Sequence, residues 1–250
     1  MHKYAIPQTH TSILANIQKG AILRPMDEQL ASLLGIDREA AARWQAWTER
    51  DDEIVFGFLS EKGSNGKTTI AGNLGAYLSL FGSVRGIDGD DRNRSLSLWA
   101  RPGKLPFTVM TDKEATLRRE RFKFTLLDTK ASPDGEDIAF IAKNADFIVI
   151  PTEPEKFAIA ANVRLVKTLK ELGAKNFKIL INRAPLNTRR GEDAHNFLKD
   201  NGIPIFDTVI RQYEAYKSAI DEGVPVYKAR VPGAKQAWTD LLMAFKEIPQ

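Results

Sequence analysis

The stretch Glu61-Lys62-Gly63-Ser64-Asn65-Gly66-Lys67-Thr68-Thr69 constrains this chain more than any other. It follows an apolar run, IVFGFLS, and leads into TTIAGNLGAYLSLFG, which reads as a helix. A strand, a loop ending Gly-Lys-Thr-Thr and a helix together form the setting that a phosphate-binding loop requires. Backbone N–H groups at the helix start face the anion, and the helix dipole favours its charge. Lys67 then reaches the outer phosphates, and the Thr68 hydroxyl is placed to ligate Mg²⁺. A flexible glycine loop carrying a solvated lysine would not need the strand before it or the helix after it.

From Glu53 onward, short apolar runs alternate with amphipathic stretches. VRGID, FTVM, FTLLD, FIVIPT, KILIN and PIFDTVI read as further strands, and FAIAANVRLVKTLKELG and RRGEDAHNFLKDNG as helices. Strands that are apolar throughout and separated by helices predict an α/β fold, a mostly parallel sheet with helices on both faces. Ligands of such sheets sit at the carboxyl ends of the strands. Residues 1–50 read as an N-terminal helical extension, and 51–250 as the nucleotide-binding domain. In the extension, Asp27 caps a helix through Leu30, Leu33 and Leu34. Gly35 ends it, and Asp37 caps a second helix, REAAARWQAWTER.

A length of 250 residues allows one substantial core. The absence of cysteine removes disulfides, thiolate metal sites, iron–sulfur clusters and cysteine nucleophiles, and it is consistent with a reducing cytoplasm. No apolar run is long enough to span a bilayer, and the first ten residues lack the apolar core of a secretory signal. A net charge of +4 weakly favours a polyanionic partner.

The general phosphate-loop pattern asks for glycine at position 61, where Glu61 stands. What fits is the variant K-G-G-x-G-K-T-T, with a second lysine, here Lys62, near the loop's start. That variant marks the ParA/MinD family of deviant Walker A ATPases, which this chain resembles; Ser64 replaces the second of its glycines. If that position needs a positive φ, a serine there is strained. Ile87-Asp88-Gly89-Asp90-Asp91-Arg92, continuing into SLSLWA, resembles the family's D-x-D-P-Q segment. FTLLDTKAS places Asp128 at a strand end, and FIVIP leads into the proline-containing TEPEKFAI. ILINR puts Asn182 at the family's adenine-contacting asparagine, and GIPIFDTVIRQYEAYKSAIDEGVPVYK resembles the closing region. The resemblance covers about residues 53–245 and looks nearest to the small plasmid-partition ATPases.

The resemblance implies ATP and Mg²⁺ as cofactors and a slow ATPase stimulated by a partner. Lys62, Lys67 and Asp90 are the implied catalytic residues. Lys62, Gly63, Ser64, Asn65, Gly66, Lys67, Thr68, Thr69 and Asn182 would bind nucleotide, and Thr68, Asp90 and Asp128 would serve the metal. Lys62 would reach across an ATP-dependent homodimer to the partner's phosphates, so nucleotide and dimerisation are linked. The implied partners are double-stranded DNA and a centromere-binding, ParB-like adaptor. The implied location is cytoplasmic and nucleoid-associated when ATP-bound, with no membrane. Arg118, Arg119 and Arg121 form one basic cluster, with Lys123 following. Arg211, Lys217, Lys228 and Arg230 form another, with Lys235. Each is a DNA-binding candidate or else a solvated charged face.

Two alternatives remain open. One is a MinD-like positioning ATPase acting on a membrane or a protein cargo. The other is a ParA-like transcriptional autoregulator with weak hydrolysis. For the latter, Leu30 to Trp44 resembles a helix-turn-helix with Arg38, Glu39 and Arg43 toward a major groove. Six Lys/Arg against seven Asp/Glu over residues 1–52 fit a dimer arm equally well. The last helix has Trp238, Leu241, Leu242 and Phe245 on one side and few lysines, a pattern better suited to core packing than to a membrane. The family's iron-protein branch is excluded, since its cluster needs cysteines.

Overall fold

A computed structural model describes residues 35–248 of the chain. Helix α1 (Arg38–Thr48) precedes β1 (Ile54–Phe58), α2 (Lys67–Leu78), β2 (Val84–Gly89), α3 (Ser95–Ala100), β3 (Thr108–Thr111) and α4 (Asp112–Leu117). Then come β4 (Phe124–Thr129), α5 (Gly135–Asn144), β5 (Phe147–Thr152), α6 (Lys156–Glu171), β6 (Phe177–Ile181) and α7 (Arg190–Asp200). After α8 (Ala215–Glu222), a 3₁₀ turn leads to α9 (Ala234–Lys246).

The six strands form one sheet in the order β3-β2-β4-β1-β5-β6, and every pairing is parallel. β5 is buried at every position and β1 at all but one, as expected when helices cover both faces. β1 lies between β4 and β5. The chain leaves β1 toward β2 and β3, returns through β4, and crosses to β5 and β6. The carboxyl end of β1 therefore opens at the point where the strand order reverses, the usual ligand crevice of such sheets.

The predicted α/β fold is present, with one strand fewer than the sequence suggests. PIFDTVI makes one isolated parallel bridge, Ile179 with Ile205, and the next residue, Arg211, makes another with Ala184. Between them the Asp207 and Thr208 amides donate to the Glu247 carboxylate on α9, at 2.7 and 2.9 Å, so the backbone donors leave the ladder. Two helices are started by reciprocal capping boxes, α4 by Thr111 with Glu114 and α5 by Asp134 with Asp137.

The first helix read in the extension, through Leu30 to Leu34, lies outside the described residues. The second is α1, capped by Asp37, which accepts from the Ala40 amide at 2.7 Å and pairs with Lys246. The line drawn at residues 50–51 falls between α1 and β1, and α1 packs across it. Trp44 is fully buried against Phe56, Tyr77, Phe81 and Phe124. Arg43, expected toward a DNA groove, instead bonds Glu39 at 3.2 Å and reaches the Lys246 carbonyl at 3.5 Å. On α9, Trp238, Leu241, Leu242 and Phe245 are buried in the same core, which uses the face a membrane-binding helix would need. Among the described residues no helix is long and apolar enough to cross a membrane.

Candidate functional site

The site is built on the loop between β1 and α2. Gly66 caps α2 with φ 89°, and a Cβ there would run into the Asn182 amide, so both conformation and space call for glycine. Ser64 has φ 67°, the left-handed region a serine adopts only with strain, so the condition set by the sequence is met. Lys67 opens α2 and is buried. Burial lowers the pKa of its ammonium, and the nearby carboxylates of Asp128 and Asp90 act the other way.

Asp128, at the end of β4, faces this lysine. Its Oδ2 accepts from the Thr68 hydroxyl at 2.7 Å, while its buried Oδ1 has no partner. Burial pushes its pKa up to about 7; the Thr68 bond and Lys67 lower it, and Asp88 and Asp90 add to the rise. A buried carboxylate with one unmatched oxygen, beside a threonine hydroxyl, suits a magnesium shell: Thr68 as direct ligand and Asp128 through water. A magnesium ion bound there would neutralise phosphate charge.

Asp90, expected to orient water and support the metal shell, is occupied locally. One of its oxygens accepts from the Arg92 and Asn93 amides at 3.1 and 2.9 Å, and the other from the Asn93 side chain at 2.9 Å. Burial acts upward on its pKa, but these bonds and Lys67 hold it below the ordinary value. Its neighbour Asp88, not singled out from sequence, is the buried one. It accepts from the Ser97 amide at 2.8 Å and the Asp90 amide at 3.2 Å, which ties the turn to α3.

Lys62 stands at the exposed rim, 3.4 Å from Glu155 and 3.7 Å from Glu153. Asn182 sits beneath the loop and donates its Nδ2 to the Asn65 carbonyl at 2.7 Å. Asn65 in turn donates to Ser60 Oγ at 2.6 Å. Beyond Asn182, residues Ala184 to Thr188 line a cavity of about 390 Å³ with Arg211. Gly63 lies in the loop as read, whereas Thr69 is in the first turn of α2, where Asn73 donates to its carbonyl at 2.9 Å.

The DNA-binding candidates do not form one patch. Arg118, Arg119 and Arg121 lead into the amino end of β4, opposite the phosphate loop, whereas Arg211 follows β6 at the carboxyl end. Arg211 is held by Asp240 through two bonds of 3.0 and 2.6 Å, Lys217 by Glu214 at 2.7 Å, and Arg118 lies 3.6 Å from Glu120. Lys228 lies over the Tyr227 ring. Arg119, Arg121 and Arg230 are exposed and make no ion pair among the described residues.

Residues 56–226 match the CobQ/CobB/MinD/ParA nucleotide binding domain, and the chain belongs to that family. It is 28% identical over 202 residues to maintenance of carboxysome distribution protein A of Gloeobacter kilaueensis, covering 78% of this chain and 93% of that protein. A single-residue variant of Cyanothece McdA in complex with ATP superposes with a TM-score of 0.59 at 18% identity, over 77% of this chain and 96% of that one. MinD of Pyrococcus horikoshii with Mg-ADP gives 0.59 at 20% identity, over 76% and 95%. The fold is thus the MinD/ParA-like one. Two sequence relatives, at 28% and 25% identity, are carboxysome-distribution proteins and not the small plasmid-partition ATPases the sequence suggested.

Proposed function

We propose that this chain is an ATP-hydrolysing switch of the ParA/MinD type that positions a protein-built cargo, using DNA as its track. The observation that carries this reading is the pairing of two lysines on one loop. Lys67 is buried, within electrostatic reach of Asp128 and Asp90, where the phosphates of ATP would lie. Lys62 sits at the exposed rim, where only a second subunit's nucleotide would need it. A cation supplied in trans stabilises the transferring phosphoryl group only in the dimer, so ATP assembles the dimer and hydrolysis releases it. Lys62 exchanges Glu153 and Glu155 for the partner's phosphates in that step.

Of the targets open from sequence, plasmid DNA, a membrane and a protein cargo, the similarity to a carboxysome-distribution protein supports the protein cargo. Doubling a modest basic surface by dimerisation raises DNA affinity through effective concentration. Arg119, Arg121, Arg230 and Lys235 are the residues left available for it. Binding to random-sequence duplex DNA with Mg²⁺ tests this, comparing no nucleotide, ADP and ATP. Binding only with ATP, weakened by Arg230→Glu or by Arg119→Glu with Arg121→Glu, is the expected result. Equal binding in all three states would overturn the switch, and no binding in any would remove DNA as the track.

A further inference from the structure

We infer that Asn162, on α6, is a positioning residue for the phosphate loop and acts together with Thr152 at the end of β5. Asn162 lies on the apolar stripe by which α6 packs on the sheet, alongside Ala158, Leu165, Val166 and Leu169, and it is fully buried. An amide there is costly unless its groups are bonded, and a leucine would serve packing better. Its Oδ1 accepts from the Glu61 amide at 3.3 Å, and its Nδ2 donates to Thr152 Oγ1 at 2.7 Å. Thr152 is equally buried.

The same threonine anchors the other end of the loop through its main chain. Its carbonyl accepts from the Asn182 amide at 2.8 Å, and the Asn182 side chain holds the Asn65 carbonyl at 2.7 Å. Residues 61 to 65 are therefore suspended between two arms that both leave Thr152: one through Asn162 to Glu61, the other through Asn182 to Asn65. The Glu61 carbonyl is held in turn by the Ser132 hydroxyl at 2.5 Å, in the loop that follows Asp128. Lys62 and Ser64 lie within this span. The first arm fixes where the loop begins, and small displacements of a phosphate-holding loop have large effects on binding and rate.

The inference rests on nucleotide binding at this loop and is tested apart from hydrolysis and dimerisation. Fluorescent ADP is titrated with Mg²⁺ into wild type, Asn162→Leu, Thr152→Val and Thr152→Ser, with thermal unfolding of each. Asn162→Leu is expected to weaken ADP roughly tenfold and Thr152→Val roughly fivefold, while Thr152→Ser, which keeps the hydroxyl, stays within about twofold of wild type. Lowered melting temperatures with unchanged ADP affinity would show a purely structural role and overturn the inference. If Asn162→Leu does not fold, equal affinity in Thr152→Val and Thr152→Ser overturns it. Wild type that binds no ADP sinks the nucleotide reading itself, and the inference with it.

Discussion

At the amino ends of β1 and β4, Trp44 fills a dry aromatic layer with Phe56, Tyr77, Phe81 and Phe124, and α1 and α9 close over it. At the carboxyl ends of the same two strands, the buried groups are Ser60, Asn65, Lys67 and Asp128, with a strained serine at 64 and an unmatched carboxylate oxygen. One end gains stability from apolar burial and shape. The other holds polar groups out of water in conformations that only a ligand would fully satisfy. Backbone strain concentrates where a protein acts, because packing elsewhere sustains it, whereas unmatched buried atoms occur at both ends, Trp44 Nε1 and Tyr77 Oη among them in the aromatic layer.

The comparison predicts that substitutions at the two ends separate binding from stability. Lys67→Ala is expected to abolish measurable ATP binding and hydrolysis, a loss of at least about a hundredfold, while the melting temperature holds or rises, because a buried, desolvated ammonium is removed. Retained hydrolysis would remove Lys67 from the site. Trp44→Ala is expected to cost roughly 3–5 kcal/mol of stability in urea unfolding, with ADP affinity of the folded fraction within about twofold. A large affinity loss there would show that the ends are not independent.

Asp128 sharpens the contrast through pH. Its folded-state pKa, about 7, lies above the ordinary 3.8. Between those values the folded metal-free protein holds a proton that the unfolded chain has released. Stability from this group is thus fully present below about pH 4 and lost as pH rises through about 7. Asp128→Asn is expected to flatten that part of the profile and to stabilise the chain at pH 8 by on the order of 2–4 kcal/mol, measured in chelator without nucleotide. An unchanged slope would place the titration elsewhere. The smallest effect expected is from Ser64→Gly, which removes the left-handed strain for a gain of about 1 kcal/mol. A loss of stability would mean that the serine side chain offsets its own strain.

Much of the polar end was legible in the sequence, because its residues are contiguous or mark strand ends: the loop from Glu61 to Thr69, Asp128 closing β4, Asp90 after β2. The missing glycine at 64 raised a positive φ there only as a condition, which the structure meets. Asp88 lay in the same D-x-D spacing, and only its burial shows that it anchors the turn. Asn162 left one faint signal, a polar residue in register with an apolar stripe. Its partner at Glu61 lies about a hundred residues away and cannot be read from local pattern. Shorter separations, 29 residues to the Asp240 carboxylate that holds Arg211 and 40 from Asp207 to the Glu247 carboxylate that draws residues 207 and 208 out of the sheet, also lie beyond local pattern. At the dry end, helix α1 was legible from its cap and periodicity, but the burial of Trp44 against Phe56, Tyr77, Phe81 and Phe124 was not. An amphipathic helix shows that it has a face to bury without showing where.

The account stands on a dimer made by ATP through Lys62, and sedimentation of the chain with Mg²⁺ and ADP or ATP tests it directly. The predicted result is monomer with ADP, dimer with ATP, and monomer in both for Lys62→Ala, with ADP affinity retained. A wild type whose mass ignores the nucleotide, or a Lys62→Ala chain that still dimerises with ATP, would contradict it.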